Sequence, residues 1–328
     1  MNKKCVGCGA ILQYEDENKL GYVRKDKIDT AKYCERCFKI NNYNLKSITT
    51  LENINSYILD ELNKKADYVY FMVDYLNINS ETINTYKLIK ANKTLIISKL
   101  DVIPKSIKCS SITSYLKDYY NINDRIIYQS SKKSLNTNEV INSIVNNKAK
   151  SVYLVGYTNS GKTSLINTLI ENKDKLTTSN NLNTTIDFIK INLNGNNIID
   201  SPGFTYRDSF YKNDEFDLIK RANPRTFLKP RTYQTKDNLN LIVENRLSIK
   251  TDNLNSLTFY VSNEIIIDKV FDNETKKLLN APEIELKIKP NSDLVIKTIG
   301  FVNIKKECTL KIRIENEELI EIRRSMFE

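Results

Sequence analysis

The chain has 328 residues, 27% charged and 40% hydrophobic, enough for two or three globular domains with a sizeable core. It contains no histidine, which excludes Ser-His-Asp triads, Cys-His nucleophiles and any other imidazole acid–base chemistry. The net charge of +10 favours an acidic partner, nucleic acid above all, although a general richness in Lys and Asn supplies positive charge without any partner.

Residues 1–45 carry two cysteine pairs, Cys5-Val6-Gly7-Cys8 and Cys34-Glu35-Arg36-Cys37. Two thiolates at this spacing close on one tetrahedral ion, and two such knuckles complete a four-cysteine zinc site. Four protein ligands leave no open position, so the metal is structural; paired disulfides are the alternative, disfavoured in a reducing compartment. The cysteine motif begins at Cys5, so the expectation is a cytoplasmic chain without signal or transit peptide. No run of about 18 apolar residues suggests a membrane span. Cys109 and Cys308 stand alone and read as buried or incidental thiols.

From about residue 50 strands and helices alternate. Val69–Val73, Thr94–Ile97, Arg125–Tyr128 and Ser151–Val155 are short apolar runs of the kind that fill a parallel sheet, with helical stretches over 80–91, 106–120 and 137–147 between them. Ile186–Leu193 and Asn196–Ile199 read as a hairpin turned at Asn194-Gly195. Residues 221–236 hold five basic residues, no acidic ones and two prolines, and read as an irregular basic connector. Beyond them the runs 239–243, 257–261, 264–267, 284–288, 294–299 and 309–314 predict a small β-rich domain.

The strongest motif is Gly156-Tyr157-Thr158-Asn159-Ser160-Gly161-Lys162-Thr163, followed by Ser164, between an apolar strand and a helical stretch. That context is the one a phosphate-binding loop requires. Its amides wrap phosphates, Lys162 neutralises the β- and γ-phosphates, and Thr163 ligates Mg²⁺. Asp200-Ser201-Pro202-Gly203 follows the next strand: Asp200 suits Mg²⁺ through water, and Gly203 can offer its N–H to the γ-phosphate, so the segment after it is a switch. Thr184 or Thr185 in the intervening loop is expected to reach Mg²⁺; the sequence leaves open which.

A guanine-reading signal, Ser98-Lys99-Leu100-Asp101, ends the strand at Ile97, with Asp101 placed to accept from guanine N1 and N2. Ser130-Ser131-Lys132 ends the next strand and resembles the loop whose amide meets guanine O6. A rival signal at Ile249-Lys250-Thr251-Asp252 lacks the polar first residue and any following Ser-x-Lys. In ordinary GTPases the phosphate loop comes first; here the base-reading pair precedes it, which makes the domain circularly permuted. Phe204 follows Gly203 where Ras-like proteins carry a water-orienting Gln. Asn159 either helps bind K⁺ that acts like an arginine finger or simply stabilises the loop.

The whole set resembles the YqeH family of circularly permuted GTPases: the two cysteine pairs, the order Ser98–Asp101, Ser130–Lys132, Gly156–Thr163, Thr184-Thr185, Asp200–Gly203, and Tyr260-Val261-Ser262-Asn263-Glu264. Ser98 replaces the usual Asn, and Asn183 a common Gly. The resemblance implies a permuted α/β P-loop GTPase domain (46–213) between an N-terminal zinc finger (1–45) and a β-rich C-terminal domain (214–328) that binds RNA. It implies assembly of the small ribosomal subunit, with that subunit or its rRNA as partner and neither membrane nor DNA involved. GTP or GDP, Mg²⁺ and Zn²⁺ are the implied cofactors, with K⁺ a further candidate. An RNA-binding module that uses GTP only as a structural ligand is the alternative, kept alive by Phe204; an ATPase is a third, opposed by Asp101.

Overall fold

The computed structural model describes residues 3, 5, 10–17, 19, 21–35, 38, 48–171, 178–180, 188–193, 196–212, 215–274 and 279–327. Cys8, Cys37, Thr184, Thr185 and the Asn194-Gly195 turn lie outside them. The chain forms two compact units, Met1–Val73 with Asn84–Lys99 and Asp124–Arg207, and Asp74–Ile83 with Leu100–Asn123 and Asp208–Glu328. Besides one-turn helices, the described residues include α1 (Ile48–Lys65), α2 (Ser80–Leu88), α3 (Cys109–Tyr120), α4 (Thr137–Val145), α5 (Lys162–Glu171) and α6 (Phe216–Ala222).

The first unit is built on a sheet of β1 (Tyr68–Asp74), β2 (Asn92–Ser98), β3 (Arg125–Tyr128), β4 (Val152–Gly156), β5 (Thr178–Asn180), β6 (Ile189–Leu193) and β7 (Asn196–Asp200), in spatial order β3-β2-β1-β4-β7-β6-β5. β1 pairs in parallel with β4, β4 with β7 and β2 with β3, while β6 returns antiparallel along β7. The central strands β1 and β4 are buried almost throughout. That is why they read as unbroken apolar runs: a parallel strand covered on both faces has no wet side. α4 turns Val140, Ile141 and Ile144 inward at one-turn spacing, onto Tyr70, Ile96 and Ile127. α1 seats Ile58 and Leu62, both fully buried, each contributing roughly 1.5–3 kcal/mol by apolar burial.

The N-terminal residues form a small cluster of their own. Cys5 and Cys34 are buried with Leu12 and Val23, and Ile28, Ala31 and Tyr33 pack against them. Cys5 N–H donates to Ala10 O at 2.7 Å, and Cys34 N–H donates to Cys5 Sγ at 3.2 Å. An amide aimed at sulfur suits a thiolate. Among the described residues no three His, Cys, Asp or Glu side chains gather into a metal-binding group.

The second unit is a β-sandwich. One sheet orders β12 (Ile267–Phe271), β9 (Leu239–Val243), β10 (Leu247–Thr251), β16 (Cys308–Ile314) and β13 (Glu283–Ile288); the other orders β17 (Ile320–Arg324), β14 (Ser292–Ile296), β15 (Gly300–Ile304), β11 (Asn255–Val261) and β8 (Arg231–Thr235). β11 and β16 alternate buried with half-buried residues along their length, and their inward rows meet in one core with Leu241, Ile249, Leu294 and Val302. The rival base signal at 249–252 is accounted for here, since Ile249–Thr251 belong to β10.

Three sequence expectations are corrected. The run 264–267 is mostly a turn, closed by Ile265 N–H on Ser262 O, and the strand begins at Ile267. The run 294–299 ends as a strand at Ile296, because Thr298 takes φ 67° and turns the chain into β15. The basic connector begins inside α6, takes in all of β8 and ends one residue beyond it at Lys236.

Candidate nucleotide site

β4 delivers the chain directly into the phosphate loop, and α5 starts at Lys162. The loop needs its glycines. A Cβ at Gly156 would stand 2.6 Å from Met72 O, and Gly161 takes φ +92°, where side chains are strained. Asn159 takes φ 63°, which Asn tolerates better than most residues, and is exposed at the tip. Tyr157 is buried; Thr158 and Thr163 are half-buried, and Ser164 is exposed. Ser160 Oγ is buried, with no hydrogen-bond partner among the described residues.

Lys162 Nζ pairs with the Asp200 carboxylate and donates to Ser201 O at 2.6 Å; both side chains are almost fully buried. The loop motif and the Asp200 motif therefore meet, brought together by the parallel pairing of β4 and β7. Each buried charge answers the other, which such burial demands. The donor set fits a Mg²⁺-bound polyphosphate: helix N-terminal amides and Lys162 for the anion, Thr163 hydroxyl and Asp200 carboxylate for the metal. Mg²⁺ would supply charge neutralisation of the transferred phosphoryl group.

The segment after Asp200 is stitched to the phosphate loop. Phe204 N–H donates to Gly156 O at 3.0 Å and Thr158 N–H donates to Phe204 O at 2.9 Å, so Tyr157 and Phe204 form a parallel bridge. Gly203 is packed against Thr158: a Cβ there would lie 3.4 Å from Thr158 Cγ2. Phe204 is fully buried, with ring centroids 5.7 Å from Tyr157 and 6.0 Å from Phe71, and Tyr206 lies 4.5 Å from Tyr157. The position of the Ras glutamine is thus an apolar anchor directed into the core.

The base-reading residues end neighbouring strands. Gln129 N–H donates to Ile97 O, extending the β2–β3 ladder so that Ser98 and Ser130 close adjacent strand ends. Ser98 hydroxyl donates to Ser160 O at 2.5 Å, within the phosphate loop. The replacement of Asn by Ser therefore retains a tie from this motif to the loop. Lys99 takes φ 60°, an uncommon backbone state for Lys that points to a functional constraint. Asp101 follows, buried in the one-turn helix Leu100–Val102. Ser130 closes a tight turn through reciprocal backbone bonds with Leu135; Ser131 hydroxyl donates to Gln129 Oε1, and Lys132 is exposed.

Two basic residues of the 221–236 connector, Arg221 and Arg231, are committed within the second unit. Arg221 forks onto Glu244, with bonds of 2.7 and 3.2 Å. Arg231 donates to Ile265 O at 2.8 Å and Ser262 O at 3.4 Å. Arg225 and Lys229 are exposed on the loop 223–230. Asn263 clamps that loop: its amide donates to Phe227 O and its oxygen accepts from Lys229 N–H. Leu228 N–H donates to Val102 O, next to Asp101 in sequence. Cys308 is buried, its thiol pushed up to about 11 by burial, which leaves it protonated and unreactive near neutral pH.

Residues 151–269 match the 50S ribosome-binding GTPase family, and residues 76–209 match the RsgA GTPase family. The second match spans the base-reading strands, the phosphate loop and Asp200–Gly203, in that order. The chain is 29% identical over 304 residues to Uncharacterized protein YqeH of Bacillus subtilis (strain 168), covering 85% of this chain and 82% of that one. It is 24% identical over 307 residues to NO-associated protein 1, chloroplastic/mitochondrial, of Arabidopsis thaliana, covering 80% of this chain and 54% of that one, so it spans about half of that relative's length. Among solved structures, YjeQ from Thermotoga maritima matches at 21% identity and TM-score 0.32, over 44% of this chain and 50% of that one.

Proposed function

We propose that the chain is a circularly permuted P-loop GTPase of the YqeH type, working as a GTP-driven switch in assembly of the small ribosomal subunit. The observation that supports the switch is the stitching of Phe204 onto the phosphate loop, with Gly203 packed against Thr158. Lys162 binds the β- and γ-phosphates, Thr163 and Asp200 hold Mg²⁺, one of Thr184 and Thr185 completes it, and Asp101 with Lys99 selects guanine. A K⁺ ion held with Asn159 supplies positive charge in place of an arginine finger. Hydrolysis releases the Gly203 contact and with it the segment Phe204–Arg207.

Ribosomal partnership is supported by the family match to ribosome-binding GTPases and by the net charge of +10. The small subunit is the reading that the YqeH resemblance favours. Residues 214–328 form the RNA-facing domain, with Arg225 and Lys229 as the phosphate contacts. Cys5, Cys8, Cys34 and Cys37 hold a structural Zn²⁺, a reading supported by the buried Cys5–Cys34 pair and its N–H to sulfur bond. The buried Phe204 favours a second reading, in which GTP is a structural ligand of an RNA-binding module with little turnover.

The test is GTP hydrolysis by the full chain in K⁺ or Na⁺ buffer, alone and with purified small or large ribosomal subunits. Stimulation by small subunits alone is expected. Stimulation by large subunits only would move the partner, and GTP binding without turnover under every condition would leave the structural-ligand reading in place.

A further inference from the structure

The permuted order leaves a missing link in the GTPase sheet. β1 and β7 flank β4, both parallel to it. A parallel pair of this kind is normally joined by a crossover helix. Here α1 leads straight into β1, yet no peptide bond joins it to the end of β7. The chain instead passes from Asp200–Arg207 into residues 208–328.

At this break the structure holds a two-point bond. Asn55 of α1 donates from Nδ2 to Thr205 O at 2.7 Å and accepts at Oδ1 from Thr205 N–H at 3.0 Å. The Thr205 hydroxyl approaches the same Oδ1 at 3.3 Å. Both backbone groups of one residue are captured by one side chain, 150 positions away in sequence. The captured residue is two beyond Gly203. α1 is a firm support, because Ile58 and Leu62, three and seven residues after Asn55 on the same helical face, are fully buried. A polar residue on that apolar stripe needs a reason, and the Thr205 backbone supplies it.

We propose that Asn55 is a positioning residue for the GTPase switch: its two-point bond to Thr205 replaces the covalent joint that the permutation removes, and holds Gly203 against the phosphate loop. The latch favours triphosphate over diphosphate, because only the triphosphate gains from the Gly203 amide held in place. It rests on the reading of Gly203 as the γ-phosphate sensor. Being non-covalent, the joint can open when that contact is lost, freeing Phe204–Arg207 without unfolding α1.

The experiment compares full-length parent, Asn55→Ala and Asn55→Asp. Equilibrium binding of fluorescent GDP and of a fluorescent non-hydrolysable GTP analogue gives the affinity ratio, and hydrogen exchange of the peptide containing Thr205 reports the latch directly. In Asn55→Ala the triphosphate preference is expected to fall about tenfold, ~1.4 kcal/mol, with GDP affinity retained as evidence of an intact fold. Exchange at Thr205 rises in the nucleotide-free protein. Asn55→Asp keeps the acceptor but opposes the Thr205 carbonyl, and falls between the two. A parent-like ratio in a folded Asn55→Ala protein, or a raised ratio, overturns the proposal. If the parent itself shows no difference at residues 201–207 between GDP and the triphosphate analogue, the Gly203 reading fails and takes the latch with it.

Discussion

Replacing Phe204 with Gln tests whether this position faces water or anchors the switch segment. In Ras-like order a glutamine here orients the attacking water, so a solvent-facing position would gain activity from Phe204→Gln. The structure predicts the reverse. Phe204 is fully buried between Phe71 and Tyr157. Losing its apolar burial costs about 2–3 kcal/mol, and an amide left without partners in that site roughly 1–3 kcal/mol more. The sum, about 3–6 kcal/mol, overlaps the range of roughly 3–5 kcal/mol for emptying a buried Phe site. Urea unfolding followed by loss of fluorescent GDP reads the stability of the nucleotide-binding unit, and GTP turnover in K⁺ reads catalysis. Phe204→Gln is expected to shift the urea midpoint down without accelerating hydrolysis, while Phe204→Leu recovers most of the stability. A Phe204→Gln protein as stable as the parent and faster in turnover would refute the anchoring role.

Two further predictions concern single bonds. Ser98→Ala removes the hydroxyl that donates to Ser160 O, a bond worth about 1 kcal/mol, so nucleotide affinity should fall roughly fivefold by titration and Ser98→Asn should restore it. Arg323→Ala leaves Asp293 buried without its cation, where Arg323 also lies 4.8 Å from the Phe301 ring; the β-sandwich should lose about 3–5 kcal/mol in urea, and the double change with Asp293→Asn should lose less than Arg323→Ala alone.

Sequence reading went furthest where one physical demand writes a local pattern. Buried parallel strands must be apolar on both faces, so β1, β2 and β4 stand out, and a phosphate loop must place glycine, lysine and threonine at fixed spacing. The sandwich was less legible. β8 reads Arg231-Thr-Tyr-Gln-Thr235 at the edge of its sheet, with polar residues that no interior strand would carry. β14 was read three residues too long and β15 was missed, because the turn between them uses Lys297, Thr298 and Ile299 rather than Gly or Pro. Charge counts could not show that Arg221 and Arg231 are held by Glu244, Ser262 and Ile265. Phe204 was visible as a departure from a motif, but its burial against Phe71 depends on sheet pairing. Asn55 carries no local signal beyond being polar on an apolar stripe, and its partner lies 150 residues on.

The strand order also fixes when the protein can finish folding during synthesis. β3-β2-β1 emerges first and can assemble early, but one flank of β1 must wait for β4 at Val152–Gly156, and β4 in turn for β7 at Asn196–Asp200. Parallel pairings over such separations close slowly and leave apolar strand edges open meanwhile. The segment proposed to read guanine is therefore translated before the phosphate loop, and a nascent chain cannot complete the proposed nucleotide site until about residue 207 has cleared the exit tunnel. Until then the half-built sheet depends on whatever shields the exposed flank of β1, so a pause in translation between residues 75 and 150 should be the most hazardous point in the making of this molecule.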